Sequence, residues 1–167
     1  TLPGMKKNAR FGAEFGRKSL EFSESYYAIP YPLPKMDLIA IPDFAFGAME
    51  NWGAITFREN LLLHYPEITS RSGEERICEV IAHVIAHQWF GNLMTVEWWN
   101  DIWLNEGFAT FAEWLWYEQS AGSEGYAAQI AGSHTFARTA PLSAPGDPGV
   151  AGMFGEPVYV RGALTLH

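Results

Sequence analysis

A chain of 167 residues with 48% hydrophobic content, seven Trp and eleven Phe can bury a sizeable core, which excludes disorder for most of its length. A formal net charge of −8, with 11 Lys and Arg and no basic run, excludes a nucleic-acid partner and better suits a cationic or amine-bearing ligand. No run of 18 uncharged apolar residues exists to span a bilayer, so the chain reads as soluble.

The opening residues, TLPGMKKNARFG, lack the basic start, apolar run and small-residue cleavage site of a signal peptide. Residues 15 to 27, FGRKSLEFSESYY, carry an amphipathic helical pattern, and the three prolines of IPYPLPK end it. Short apolar runs then predict strands at DLIAIP, residues 37 to 42, and GAITF, residues 53 to 57. Between them FAFGAMENW supplies turn residues, so a small sheet edge is expected here.

At Ser72 the pattern changes. SGEE reads as a capping box, with Ser72 as N-cap and Glu75 three residues on, and apolar positions recur at helical spacing up to Gly91. Within this helix VIAHVIAH repeats four letters, but two turns are too short for a repeat architecture. A further helix is predicted from about Asp101 to Gln119, stopping before Gly122, with its Trp and Phe assigned to the core. Residues 139 to 157 hold four Pro and four Gly and predict no regular element. ALTLH, at the end, again looks helical, and with the missing initial Met this points to a piece of a larger protein.

The single cysteine, Cys78, allows neither an internal disulfide nor a CxxC thiolate site, so a bound metal must use His and carboxylates. One cysteine is compatible with either redox setting, so the compartment stays open; for a soluble chain the cytoplasm is slightly favoured. His83 and His87 are four apart, which on a helix separates them by about 40° around the axis and ~6 Å along it, within reach of one ion. Glu106 follows after 18 intervening residues, enough for the helix to end and a second to return. Two imidazoles and a carboxylate with an open fourth position form the usual catalytic zinc shell. The bland readings are a polar HxxxH stripe and a solvated acid at a helix start. His64, His134 and His167 have no companion at ligand spacing and read as surface or packing residues.

GAMEN at residues 47 to 51, HxxAHQWFGN at 83 to 92, WLNEGFA at 103 to 109 and YVRG at 159 to 162 occur in this order. In these motifs and their spacing the chain resembles the zinc aminopeptidases of the alanyl aminopeptidase and leukotriene hydrolase family over almost its whole length. The resemblance implies an α+β fold: a thermolysin-like, gluzincin catalytic domain in which a small β-sheet edge stands beside helices carrying the metal site. Residues 1–167 would be one such domain, without the family's N-terminal β domain and C-terminal helical domain.

The same resemblance implies one Zn2+ on His83, His87 and Glu106, and a substrate-binding segment of Gly47, Ala48, Met49, Glu50 and Asn51. Glu50 matches the acid that holds the free α-amine of the peptide, and the backbone of Gly47 and Ala48 would lie along the bound chain. Tyr159 matches the hydroxyl that stabilises the tetrahedral oxyanion. Arg161 stands where the family usually has Lys. Without the resemblance, Glu50 reads as a turn residue and Tyr159 as a half-buried aromatic. Asp101, Glu97 and Asn105 are candidates to receive the far N–H of a ligand histidine.

One departure matters most. The family's HExxH carries a Glu that takes a proton from the metal-activated water and delivers it to the leaving amine. Here Val84 occupies that position, and general acid–base catalysis typically contributes about 10² to 10⁴ in rate. Glu79, one turn before His83, is a poor stand-in, and Cys78 a poorer one. The expectation is therefore a zinc aminopeptidase domain that holds metal and peptides with a free N-terminus while turnover fails. The change reads as engineered, as that of a natural pseudoenzyme, or as an error that copied VIAH; the intact remaining motifs favour a recent or engineered one. The alternative function is a non-catalytic zinc-containing peptide-binding pseudoenzyme. A structural zinc module is disfavoured, because such sites usually close their fourth position with Cys.

Overall fold

The computed structural model describes residues 1–137, 154–155 and 157–167. Two compact units divide it, Thr1–Gln88 and Trp89–His167.

In the first unit, helix α1 (Arg10–Tyr27) buries Gly12, Phe15, Gly16, Ser19 and Ser23, an inward stripe at helical spacing that begins before the residue-15 start read from the sequence. It ends where Ala28 turns left-handed (φ 54°), immediately ahead of the proline-rich segment. The two expected strands form as β1 (Asp37–Ile41) and the central strand, and the intervening segment contains one more. Ala48–Met49, read as part of a turn, is a two-residue strand, β2. It pairs antiparallel with β3 (Ala54–Arg58), Ala48 opposite Phe57 and Met49 opposite Thr56, while β1 pairs parallel on the other side, giving the order β1-β3-β2. Two residues carry no visible alternation, which is why pattern reading passed over them. Ile55 and Phe57 of β3 are fully buried. Gly53, which leads into β3, has φ +75°, and a Cβ there would meet Leu33 Cδ1 at 2.8 Å. Only glycine makes that turn.

Helix α2 (Arg71–Ala86) departs from expectation at both ends. Its N-cap is Ser70, whose extended backbone lets Oγ accept the Gly73 N–H at 3.2 Å. Ser72 lies inside the first turn and Glu75 pairs with Arg71, so the capping box at Ser72 and Glu75 does not form. The helix stops at Ala86 instead of running to Gly91. Gln88 N–H tightens onto the Ile85 carbonyl (3.0 Å), and the apolar pattern merely continues through the turn beyond. Ile77, Ile81, Val84, Ile85 and Ala86 are its buried face. His64 is the expected packing residue: its ring lies 4.8 Å from that of Phe11, and its Nε2 meets Glu74 Oε1 at 2.7 Å.

In the second unit, a short 3-10 turn (Trp99–Asp101) leads into α3 (Ile102–Ala137). The expected stop before Gly122 does not occur. A helical glycine costs about 1 kcal/mol relative to alanine, which an alanine-rich segment absorbs; termination needs a left-handed C′ residue that Gly122 does not provide. A single π-helical turn, Pro157–Arg161, then precedes helix α4 (Gly162–Leu166), the expected terminal helix, and both pack on α3. A Cβ on Gly107 would lie 2.8 Å from the Gly162 carbonyl carbon, and one on Gly162 would lie 3.0 Å from Gly107 Cα. Helices α3 and α4 thus cross backbone against backbone. Trp114, Ile130 and Ala163 form a buried cluster flanked by Phe111 and Leu164. Most of the irregular segment expected at 139 to 157 lies outside the described residues. Among the described residues no helix is long and apolar enough to cross a membrane. The fold is α+β, as expected.

Candidate metal centre

Helix α2 ends in a pair of imidazoles. His83 sits in its last turn and His87 caps it, with the two Nε2 atoms 3.1 Å apart and the rings edge to face. His87 is 2% exposed. Two nitrogens each about 2.0–2.1 Å from one tetrahedral ion stand ~3.3 Å apart, so the pair has the spacing of one edge of a zinc shell. The donor chemistry suits zinc, which takes neutral imidazole.

Between the histidines lies Val84, 3% exposed. The nearby groups considered as substitutes are otherwise engaged. Glu79 is paired with Arg76 at 3.1 Å. Burial, reinforced by Glu74, Glu79 and Glu75, pushes the Cys78 thiol up to about 12, so it stays protonated at neutral pH and is no substitute for the general base.

The same unit holds the GAMEN segment, fixed from two sides. From β3, the Arg58 guanidinium donates to the carbonyls of Phe44 (3.1 Å), Phe46 (3.2 Å) and Ala45 (2.6 Å), and Arg58 N–H donates to Gly47 O at 2.9 Å. From the end of α2, Gln88 reaches the far side of the motif. Its Nε2 donates to Glu50 O (3.1 Å) and Val84 O (3.3 Å), and its Oε1 accepts the Gly53 N–H at 3.3 Å. Asn51 Nδ2 donates to Thr56 Oγ1 at 3.3 Å and to Met49 O at 3.4 Å. Glu50 is half-buried, whereas Met49 is exposed on the sheet edge.

Sequence reasoning passed over both Arg58 and Gln88. The available signal was the chemistry of Gln88 itself: an amide in an apolar stretch must find partners when buried.

Glu106 and Tyr159 belong to the second unit. Glu106 lies near the start of α3 and is 5% exposed, which a carboxylate tolerates only with charged or hydrogen-bonding company. Tyr159 is half-buried in the π-helical turn, with Arg161 at its end. Gly107 follows Glu106 and Gly162 follows Arg161, so the glycine crossing seats the Tyr159 turn against the start of α3. Asp101 and Asn105 are half-buried in this unit, and Glu97 is exposed. The side chain of His134 lies outside the described residues; His167 is exposed.

Residues 11–142 match the peptidase family M1 domain. That span includes GAMEN, both histidines and Glu106, and ends before Tyr159. The chain is similar to leucyl aminopeptidase of Saccharolobus solfataricus, 59% identical over 111 residues, covering 66% of this chain and 14% of the relative. It is similar also to aminopeptidase M1 of Arabidopsis thaliana, 53% identical over 112 residues, covering 67% of this chain and 13% of that one. Endoplasmic reticulum aminopeptidase 2 of Bos taurus is 58% identical over 111 residues, 66% of this chain and 12% of its own length. The chain therefore spans only a small part of the length of these relatives.

Proposed function

The chain belongs to peptidase family M1, and on that premise we propose that it is the catalytic domain of a zinc aminopeptidase, impaired at its general base. Residues 1–167 form one thermolysin-like domain of a longer enzyme, which supplies an N-terminal β domain and a C-terminal helical domain.

His83, His87 and Glu106 hold one zinc ion in this reading, which supplies a Lewis acid for the scissile carbonyl and for water when bound. Glu50 takes the α-ammonium of the peptide, and a carboxylate there selects chain ends over internal bonds. The edge strand β2 carries Ala48 and Met49 where an extended peptide can run alongside Gly47, and Asn51 steadies the turn. The Tyr159 hydroxyl donates to the developing oxyanion. Val84 has no proton or lone pair to offer.

The observation that carries this reading is the 3.1 Å approach of two imidazole Nε2 atoms in the same unit as a doubly anchored GAMEN segment. It is tested by zinc analysis of the full-length protein together with aminoacyl-anilide hydrolysis by the Val84→Glu reversion. One equivalent of zinc and a gain in rate on reversion are expected. Zinc bound with no gain would leave the second reading, a zinc-holding protein that captures amino termini without cleaving them, which the valine at position 84 favours.

A further inference from the structure

Gln88 is fully buried, yet every hydrogen-bonding group of its amide is used. The two N–H groups go to Glu50 O and Val84 O, and the carbonyl takes the Gly53 N–H. These partners lie on two different elements. Val84 belongs to the helix that carries the histidines; Glu50 and Gly53 bracket the turn that follows β2. A single side chain therefore ties both ends of the 50–53 turn to the residue next after His87.

The position of Glu50 follows from this tie. Its Cα is held through its own carbonyl, and the left-handed Gly53 that closes the turn is held through its N–H. The Glu50 side chain therefore starts from a fixed main-chain position. The β3 side of the motif is anchored independently by Arg58, whose contacts end at Gly47 and do not reach Glu50. Met49 and Asn51 tie the segment to Thr56 of β3, and Gln88 adds the hydrogen bonds that fix the Glu50 backbone against α2.

We propose that Gln88 is a positioning residue for amino-terminal recognition, setting the distance between the Glu50 carboxylate and the histidine pair and so enforcing preference for a free α-amine. This rests on the reading that Glu50 holds that amine. A merely structural glutamine would lower stability but leave the ratio of affinities for free and blocked peptides untouched; a positioning residue changes the ratio.

The test measures binding of trialanine and N-acetyl-trialanine to the zinc-loaded full-length protein by calorimetry. The parent protein is expected to prefer trialanine, and Glu50→Gln to abolish the preference. Gln88→Leu, of similar bulk but without either hydrogen-bonding function, should reduce the preference roughly tenfold, the effect of about one lost hydrogen bond's alignment. Zinc content should stay at one equivalent, and the Gly53 amide should exchange with solvent faster than in the parent. Gln88→Glu keeps the acceptor for Gly53 but lacks the donor to Glu50 O, and should also lose preference. An undiminished preference in Gln88→Leu, or in Gln88→Glu if the leucine variant does not fold, overturns the proposal. A parent protein that binds both peptides equally, or a Glu50→Gln variant that keeps the preference, overturns the Glu50 reading itself and the positioning role with it.

Discussion

His83 Nε2 and His87 Nε2 lie 3.1 Å apart across the last turn of α2. This follows from an i,i+4 spacing at a point where the helix ends, so that His87 closes the helix with its backbone while its ring turns back toward His83. The preceding turn holds the pair rigidly, because Ile81, Val84 and Ile85 are buried. Replacing either histidine with alanine is expected to lower zinc affinity by more than about 100-fold, since even lost support around a ligand costs 10–100-fold. Competition with a chromophoric chelator measures it. An unchanged affinity in either variant would remove the pair from the metal shell.

Val84→Glu tests chemistry and stability together. The valine is 3% exposed, so a carboxylate in its place is buried and needs a partner. In metal-free protein the variant should be less stable by about 1–3 kcal/mol, seen in chemical denaturation. Zinc should restore much of that loss, and peptide hydrolysis should rise by about 10² to 10⁴. A metal-free variant as stable as the parent would show that the side chain escapes to solvent and is unsuited to act as base.

Ser70→Ala should cost about 1 kcal/mol in stability, because it leaves the Gly73 N–H without its cap, whereas Ser72→Ala should be nearly neutral. Denaturant titration of the two variants separates the observed cap from the one read in the sequence; equal losses would place the cap at neither residue alone.

That pair shows where sequence reading succeeds and where it stops. The existence of α1, β1, β3 and α2 was readable because each buries a periodic face, as with Gly12, Phe15, Ser19 and Ser23 in α1. Ends were not, since TSRSGEE offers two serines at the start of α2 and only the extended backbone at Ser70 selects one. The length of α3 was missed because Gly122 resembles a stop, and whether a glycine ends a helix depends on the packing that holds the rest of it. In the candidate site, the histidine spacing was plain from the letters, and the roles of Glu50 and Tyr159 came from resemblance alone. Gln88 and Arg58 act through main-chain carbonyls and amides, which leave no mark in sequence.

Cys78 gives a pH dependence with a definite sign. Burial raises its folded thiol from 9.0 to about 12, so the folded state holds a proton that the unfolded chain releases above about pH 9. The contribution to stability is complete below pH 9 and declines as pH rises from there toward 12. Denaturation midpoints over that window should fall less steeply for Cys78→Ala than for the parent. At pH 8 iodoacetamide should modify Cys78 much more slowly in the native protein than in denaturant, and equal rates would refute the protected thiol.

Gly107→Ala probes the crossing of α3 and α4. The new methyl would stand 2.8 Å from the Gly162 carbonyl carbon and 2.9 Å from its Cα, and backbone cannot rotate away as a flexible side chain can. Two terms oppose each other. Alanine favours the helix by about 1 kcal/mol over glycine, while overpacking typically costs about 1–3 kcal/mol and rises when main chain must move. The steric term wins at this separation, so a net loss is expected in chemical denaturation. Because α4 follows directly on the Tyr159 turn, the displacement should reach that turn as well, and the native fluorescence of the second unit, with Trp114 in the adjoining buried cluster, should shift toward that of a more exposed indole. Gly162→Ala, whose methyl would meet Gly107 Cα at 3.0 Å, should reproduce both effects. A stabilised Gly107→Ala protein would mean that the two helices do not touch through their backbones at this point.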